Sequence, residues 1–111
     1  MDISKLDVVK LSNDGHPCVI KNPKTNEDTD IVIVIKGVYA DKFLSESESA
    51  DTVEKTAELL ARFTVRWENV EEAGAPLEFT HDNVLRIYRD FPIIRGQVLS
   101  AAMDVRNFIK D

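Results

Sequence analysis

Apolar residues in the first forty positions fall in short clusters separated by turn residues, whereas from about Asp41 onward they recur at spacings of three and four. Leu6, Val8, Val9 and Leu11 read as a first strand. Asn13-Asp14-Gly15 behind them reads as a hairpin turn, because Asn, Asp and Gly tolerate positive φ. Cys18-Val19-Ile20 forms the next short strand and Asn22 to Asn26 a polar turn. Ile31-Val32-Ile33-Val34-Ile35 is a β-branched run that prefers strand and ends at Gly37. The front of the chain therefore predicts a small antiparallel meander. Its last strand is apolar on both faces, which requires cover from elsewhere in the protein or from a partner.

Behind Asp41 the period is helical. Phe43 and Leu44 suit a short helix, and Val53, Ala57, Leu60, Ala61, Thr64 and Trp67 share one face of an amphipathic helix that begins at Thr52. Asn69 to Pro76, with Gly74 inside it, breaks that helix. Thr80 stands at an N-cap position with Asp82 in the first turn, and Val84, Leu85, Ile87, Tyr88 and Phe91 give the next apolar stripe. Pro92 suits the first position of a last helix, in which Ile94, Val98, Ala101, Val105 and Phe108 keep the rhythm to the end. The predicted class is α+β: a small N-terminal antiparallel β-meander followed by a bundle of three to four helices. One domain over 1–111 is expected, divided into a β-rich front (1–40), an acidic connection (41–58) and a helical back (59–111).

Composition narrows the classes. The 111 residues carry 14 basic and 20 acidic side chains, a net charge of −6 and 43% hydrophobic residues, enough for a core without metals or disulfides. The single Cys18 cannot form an intramolecular bridge, which fits a reducing compartment. No apolar run approaches the roughly 20 residues of a membrane span, and the N-terminus does not read as a leader, so a cytoplasmic protein without membrane contact is expected. The charge is unevenly placed. Residues 1–40 hold 5 Lys against 6 acids, 41–58 hold 2 Lys against 6 acids, and 59–111 hold 7 Lys/Arg against 8 acids. The acidity is thus concentrated in Asp41 to Glu58, and the balance argues against holding nucleic acid by phosphate neutralisation.

Candidate chemistry is sparse. His16 lies beside Gly15, Pro17 and Cys18, and a Cys/His pair is one route to a nucleophile and its base, but a turn followed by a small buried Cys explains it more simply. His81 falls in the first turn of a helix. Two histidines and one cysteine, without HxxxH or CxxC spacing, do not make a zinc site. Glu46, Glu48, Asp51, Glu54 and Glu58 lie amid Ser, Lys and Ala as a solvated face, without the burial that separates the pKa values of a catalytic pair. Four isolated glycines form no phosphate loop. No enzyme, no metal and no cofactor is expected. Among the aromatic residues, which mostly suit a core, Phe91-Pro92-Ile93-Ile94-Arg95 is an apolar stretch at a helix junction next to a planar Arg, the pattern of a partner-binding edge. The candidate partner-binding residues are Trp67, Phe79, Phe91, Ile93, Ile94 and Arg95.

Three stretches carry a family resemblance. They are Lys21-Asn22-Pro23-Lys24-Thr25-Asn26-Glu27 with the strand that follows, through Gly37 and Asp41-Lys42-Phe43; Arg66-Trp67-Glu68-Asn69-Val70 with Gly74-Ala75-Pro76-Leu77-Glu78-Phe79-Thr80 and Asp82-Asn83-Val84; and Phe91-Pro92-Ile93-Ile94-Arg95-Gly96-Gln97-Val98, closing on Asn107-Phe108. In this order they resemble the small tail assembly chaperones of long-tailed bacteriophages. The chain departs from that pattern with Asn26 where the family often has Gly, and with Arg66 where Gly often precedes the Trp. The resemblance implies a non-enzymatic protein of the host cytoplasm that binds the phage tape measure protein, keeps it soluble and helps recruit the tail tube protein, and it leaves a homo-oligomer open. Two other readings compete. One is a structural tail tube or head-tail joining subunit, motivated by the two-sided strand Ile31 to Ile35; the other is an acidic DNA mimic, motivated by the net charge alone.

Overall fold

In the computed structural model, which describes residues 1–110, a 3₁₀ turn (Ile3–Leu6) leads into α1 (Val8–Asp14), then β1 (His16–Lys21) and β2 (Asp28–Ile35). The expected first strand over Leu6 to Leu11 is therefore helical. The Asp7 side chain accepts the amide of Lys10 and caps α1, and Gly15 closes it by donating its amide to the Leu11 carbonyl at φ 95°. Asn13-Asp14-Gly15 is thus a helix end, not a hairpin turn. A Cβ at Gly15 would also come within 2.9 Å of Val34 Cγ1, so the position excludes side chains on two counts.

The chain continues with α2 (Phe43–Ser47), α3 (Val53–Phe63), β3 (Thr64–Glu68), β4 (Glu71–Glu72), β5 (Ala75–Pro76), α4 (His81–Asp90), α5 (Pro92–Met103) and a 3₁₀ turn (Val105–Phe108). This is an α+β fold, but its sheet is assembled otherwise than the meander predicted. β1 and β2 form the hairpin over Asn22 to Asn26, with Cys18 opposite Ile33, and the third strand comes from the back half: β3 pairs antiparallel with β2, Ile33 opposite Trp67 and Val34 opposite Arg66. The helix expected to run through Trp67 stops at Phe63. Thr64 and Trp67 fit a helical period by coincidence, and the open edge of β2 draws Thr64-Val65-Arg66-Trp67-Glu68 into ladder pairing. The front and back halves consequently share one sheet. The acidic connection is α2 and the first half of α3, and three of its carboxylates are paired: Glu46 with Arg62, Asp51 with Lys55, Glu54 with Arg89. Asn69 to Pro76 folds as the small β4–β5 hairpin, with Asn69, Ala73 and Gly74 at positive φ. The Thr80 cap and Pro92 at the first position of α5 stand where expected, but the last helix ends at Met103 and Asp104 caps a separate 3₁₀ turn.

One face of the sheet makes the core. Cys18, Ile20, Ile33 and Ile35 pack with Phe43, Ala57, Leu60, Phe63, Val84, Tyr88, Val98 and Ala102. Within this core Thr64 Oγ1 lies 2.7 Å from the Leu60 carbonyl and 2.6 Å from the Tyr88 hydroxyl. The single Thr64 proton goes to the carbonyl, which leaves Tyr88 as the donor to Thr64. Burial pushes the Tyr88 phenol strongly upward, so it stays neutral at any ordinary pH. Thr64→Val strands the Tyr88 hydroxyl and is expected to cost about 1–3 kcal/mol. Tyr88→Phe leaves Thr64 its carbonyl partner and is expected to cost about 1 kcal/mol. Urea unfolding of the two variants checks the order.

The opposite face of the sheet is open. Pro17, Val19 and Val65 are exposed there and Val32 is half-buried; Val34 is buried on that side against the α1–β1 junction. Of the strand predicted to need cover on both sides, only one side is covered by helices.

Candidate partner-binding surfaces

The six candidate residues divide between two places. Trp67 points to the helix side of β3, and its indole N–H donates to the Leu77 carbonyl at 3.2 Å. Phe79 meets it edge-on, with ring centroids 5.2 Å apart, and is 41% exposed. The β4–β5 hairpin holds Pro76 and Leu77 beside the pair; Leu77 N–H donates to the Val70 carbonyl, and Glu72 ties the hairpin to α4 by two charged bonds of 2.8 and 2.9 Å to Arg86. That bidentate contact holds the Glu72 carboxyl below its ordinary range. The result is an open groove of about 460 Å³ with apolar walls from Trp67, Val70, Pro76, Leu77 and Phe79 and polar ones from Asp30, Asn69 and Glu71.

Phe91, Ile93, Ile94 and Arg95 begin α5, away from that groove. Phe91 and Ile93 are exposed, at 41% and 49%. Ile94 turns inward against the core, and Arg95 donates to the carbonyls of Tyr88 and Arg89 at 3.0 and 3.2 Å, so its cation closes the C-terminal end of α4. Of the predicted apolar edge, Phe91 and Ile93 remain available and the other two are structural. Ile93 faces a second groove, about 560 Å³, between α5 and β1, lined with Val19, Pro23, Gly96 and Ser100. Here the Gln97 amide is bonded to the backbone of Lys21 in both directions: Lys21 N–H to Oε1 at 2.8 Å and Nε2–H to the Lys21 carbonyl at 2.9 Å. Val19, Pro23, Leu77 and Gln97 were not candidates. The turn signal at Pro23 hid a groove wall, and nothing in spacing distinguishes a Gln that imitates a strand from one that is solvated.

Burial raises the Cys18 thiol, the opposite of an activated nucleophile. Among the described residues no cluster of His, Cys, Asp and Glu is placed to hold a metal, and no helix is long and apolar enough to cross a membrane. His81 is exposed at the start of α4, whereas His16 stacks edge-on to Phe108 at 5.9 Å. Partial burial lowers the His16 pKa below its ordinary 6.5, against an opposing pull from Asp104. The folded form therefore binds that proton less readily than the unfolded chain, and stability falls as pH drops below about 6.5. His16→Gln is expected to reduce the loss of thermal stability between pH 7.5 and pH 5. Melting curves at the two pH values measure it.

The chain matches no family model, no curated protein and no solved structure.

Proposed function

We propose that the protein is a tail assembly chaperone of the kind used by long-tailed bacteriophages: a non-enzymatic protein of the host cytoplasm that binds the tape measure protein and helps recruit tail tube subunits. The observation that supports this reading is that the stretches resembling that family contribute the apolar walls of two open grooves. Trp67, Val70, Pro76, Leu77 and Phe79 make one. Pro23, Ile93, Gly96 and Gln97 contribute to the other. Grooves with apolar walls suit the apolar stripe of a partner helix. A tape measure protein exposes such stripes until the tail tube encloses it, and this chain's net charge of −6 favours its solubility. Co-expression with the tape measure protein encoded nearby tests the reading: the expected result is soluble tape measure protein that co-purifies with this chain, and insoluble tape measure protein with no co-purification contradicts it.

The unpaired outer edge of β3 favours a second reading, a structural tail tube or head-tail joining subunit whose sheet continues into its neighbour. Mass spectrometry of purified virions separates the two. A chaperone is absent from the particle and a structural subunit is retained at stoichiometric abundance.

A further inference from the structure

The two edges of the sheet are treated differently. On β1, Pro17 has no N–H to offer, and the Gln97 amide occupies both the N–H and the carbonyl of Lys21. Among the described residues no such device reaches β3. It is the terminal strand on its side of the sheet, contains no proline, and receives no hydrogen bond on the backbone of Val65 to Glu68 from outside the sheet. The phase of its backbone follows from β1. The Ile20 carbonyl accepts the Thr29 hydroxyl from β2, whereas Lys21 faces Gln97, so Cys18 faces β2 and its partner Ile33 faces β1. Val32 and Val34 then face β3, bonded to Glu68 and Arg66, and the amide and carbonyl of Trp67 are left pointing outward.

We propose that two copies of this chain pair through β3 in an antiparallel, two-fold register centred on Trp67, giving one continuous six-stranded sheet. The charges choose this register. With Trp67 opposite its own counterpart, Arg66 lies opposite Glu68 of the second copy and Glu68 opposite its Arg66, on the face that carries Val32 and Val34. Centring on Arg66 instead sets two arginines against each other, which is unfavourable. A two-fold interface of this kind is closed, so it ends at a dimer and does not propagate into a filament.

The test is light scattering of the full chain over a concentration series, with circular dichroism confirming that each variant is folded. The wild type is expected at twice the chain mass. Arg66→Glu places like charges at both ends of the seam and is expected to weaken dimerisation about tenfold or more. The reciprocal variant Arg66→Glu/Glu68→Arg restores opposite charges in the same register and is expected to recover the dimer. A wild type that is monomeric throughout would overturn the proposal and point to a foreign strand as the occupant of β3. A folded Arg66→Glu that dimerises as strongly as wild type, or a folded reciprocal variant that remains monomeric, overturns it as well. None of these outcomes depends on the tape measure protein.

Discussion

Phe43→Ala is expected to destabilise the protein by about 3–5 kcal/mol, a large share of the roughly 5–15 kcal/mol that separates a folded domain from its unfolded chain. Phe43 is fully buried at the start of α2, its ring 4.9 Å from that of Phe63, and belongs to the core that α3, α4 and α5 build under the sheet. Truncation removes a whole aromatic ring from a close-packed site. The surrounding helices are anchored separately, α3 by the Thr52 cap and α4 by the Thr80 cap, so they cannot simply collapse into the void. Urea denaturation should show a lower midpoint with the slope unchanged, since the surface exposed on unfolding barely alters. Phe43→Leu, which fills much of the same volume, is expected to cost appreciably less.

The second large effect is functional. Trp67→Ser/Phe79→Ser is expected to abolish co-purification of the tape measure protein while leaving a folded chain, because Phe79 is exposed and Trp67 is only half-buried. Aromatic anchors of this kind account for a disproportionate share of binding energy, about 2 kcal/mol or more each when truncated, which for two residues corresponds to a loss of roughly a thousandfold in affinity. Serine at 67 also removes the indole donor to the Leu77 carbonyl, which loosens the groove wall as well as emptying it. Arg95→Ala behaves differently. It releases the two carbonyls at the end of α4 and is expected to affect melting before it affects binding.

The contrast between Trp67 and Arg95 illustrates what could be read from the residues. Local chemistry was legible where a single residue decides it: Thr80 as a cap, Pro92 as a first helical residue, and Ile31 to Ile35 as a strand all stand as their side chains dictate. Sequence and structure part where two patterns overlap. Val8 and Leu11 alternate loosely enough for a strand, and only the Asp7 cap and the Gly15 terminus distinguish a two-turn helix. Thr64 and Trp67 continue the helical period of α3 although they pair with β2, a decision made by long-range pairing that periodicity does not contain. The candidate surfaces follow the same rule. Trp67 and Phe79 are twelve residues apart and meet through the β4–β5 hairpin, whereas adjacent Ile93 and Ile94 face opposite ways on α5. Proximity in sequence grouped residues that the helix separates, and missed Val19 and Pro23 because they reach Ile93 only across the sheet edge.

The chain contains one tryptophan, and it stands in the groove at the centre of the functional reading. A fluorescence titration therefore reports directly on that groove without any label. A peptide carrying an apolar helical stripe of the tape measure protein is predicted to shift Trp67 emission to the blue in a saturable manner, as the half-exposed indole loses water to the bound helix. Saturable binding of the same peptide, measured independently by calorimetry, with Trp67 emission unchanged would contradict the placement of the partner. No binding by either measurement would contradict the chaperone reading itself.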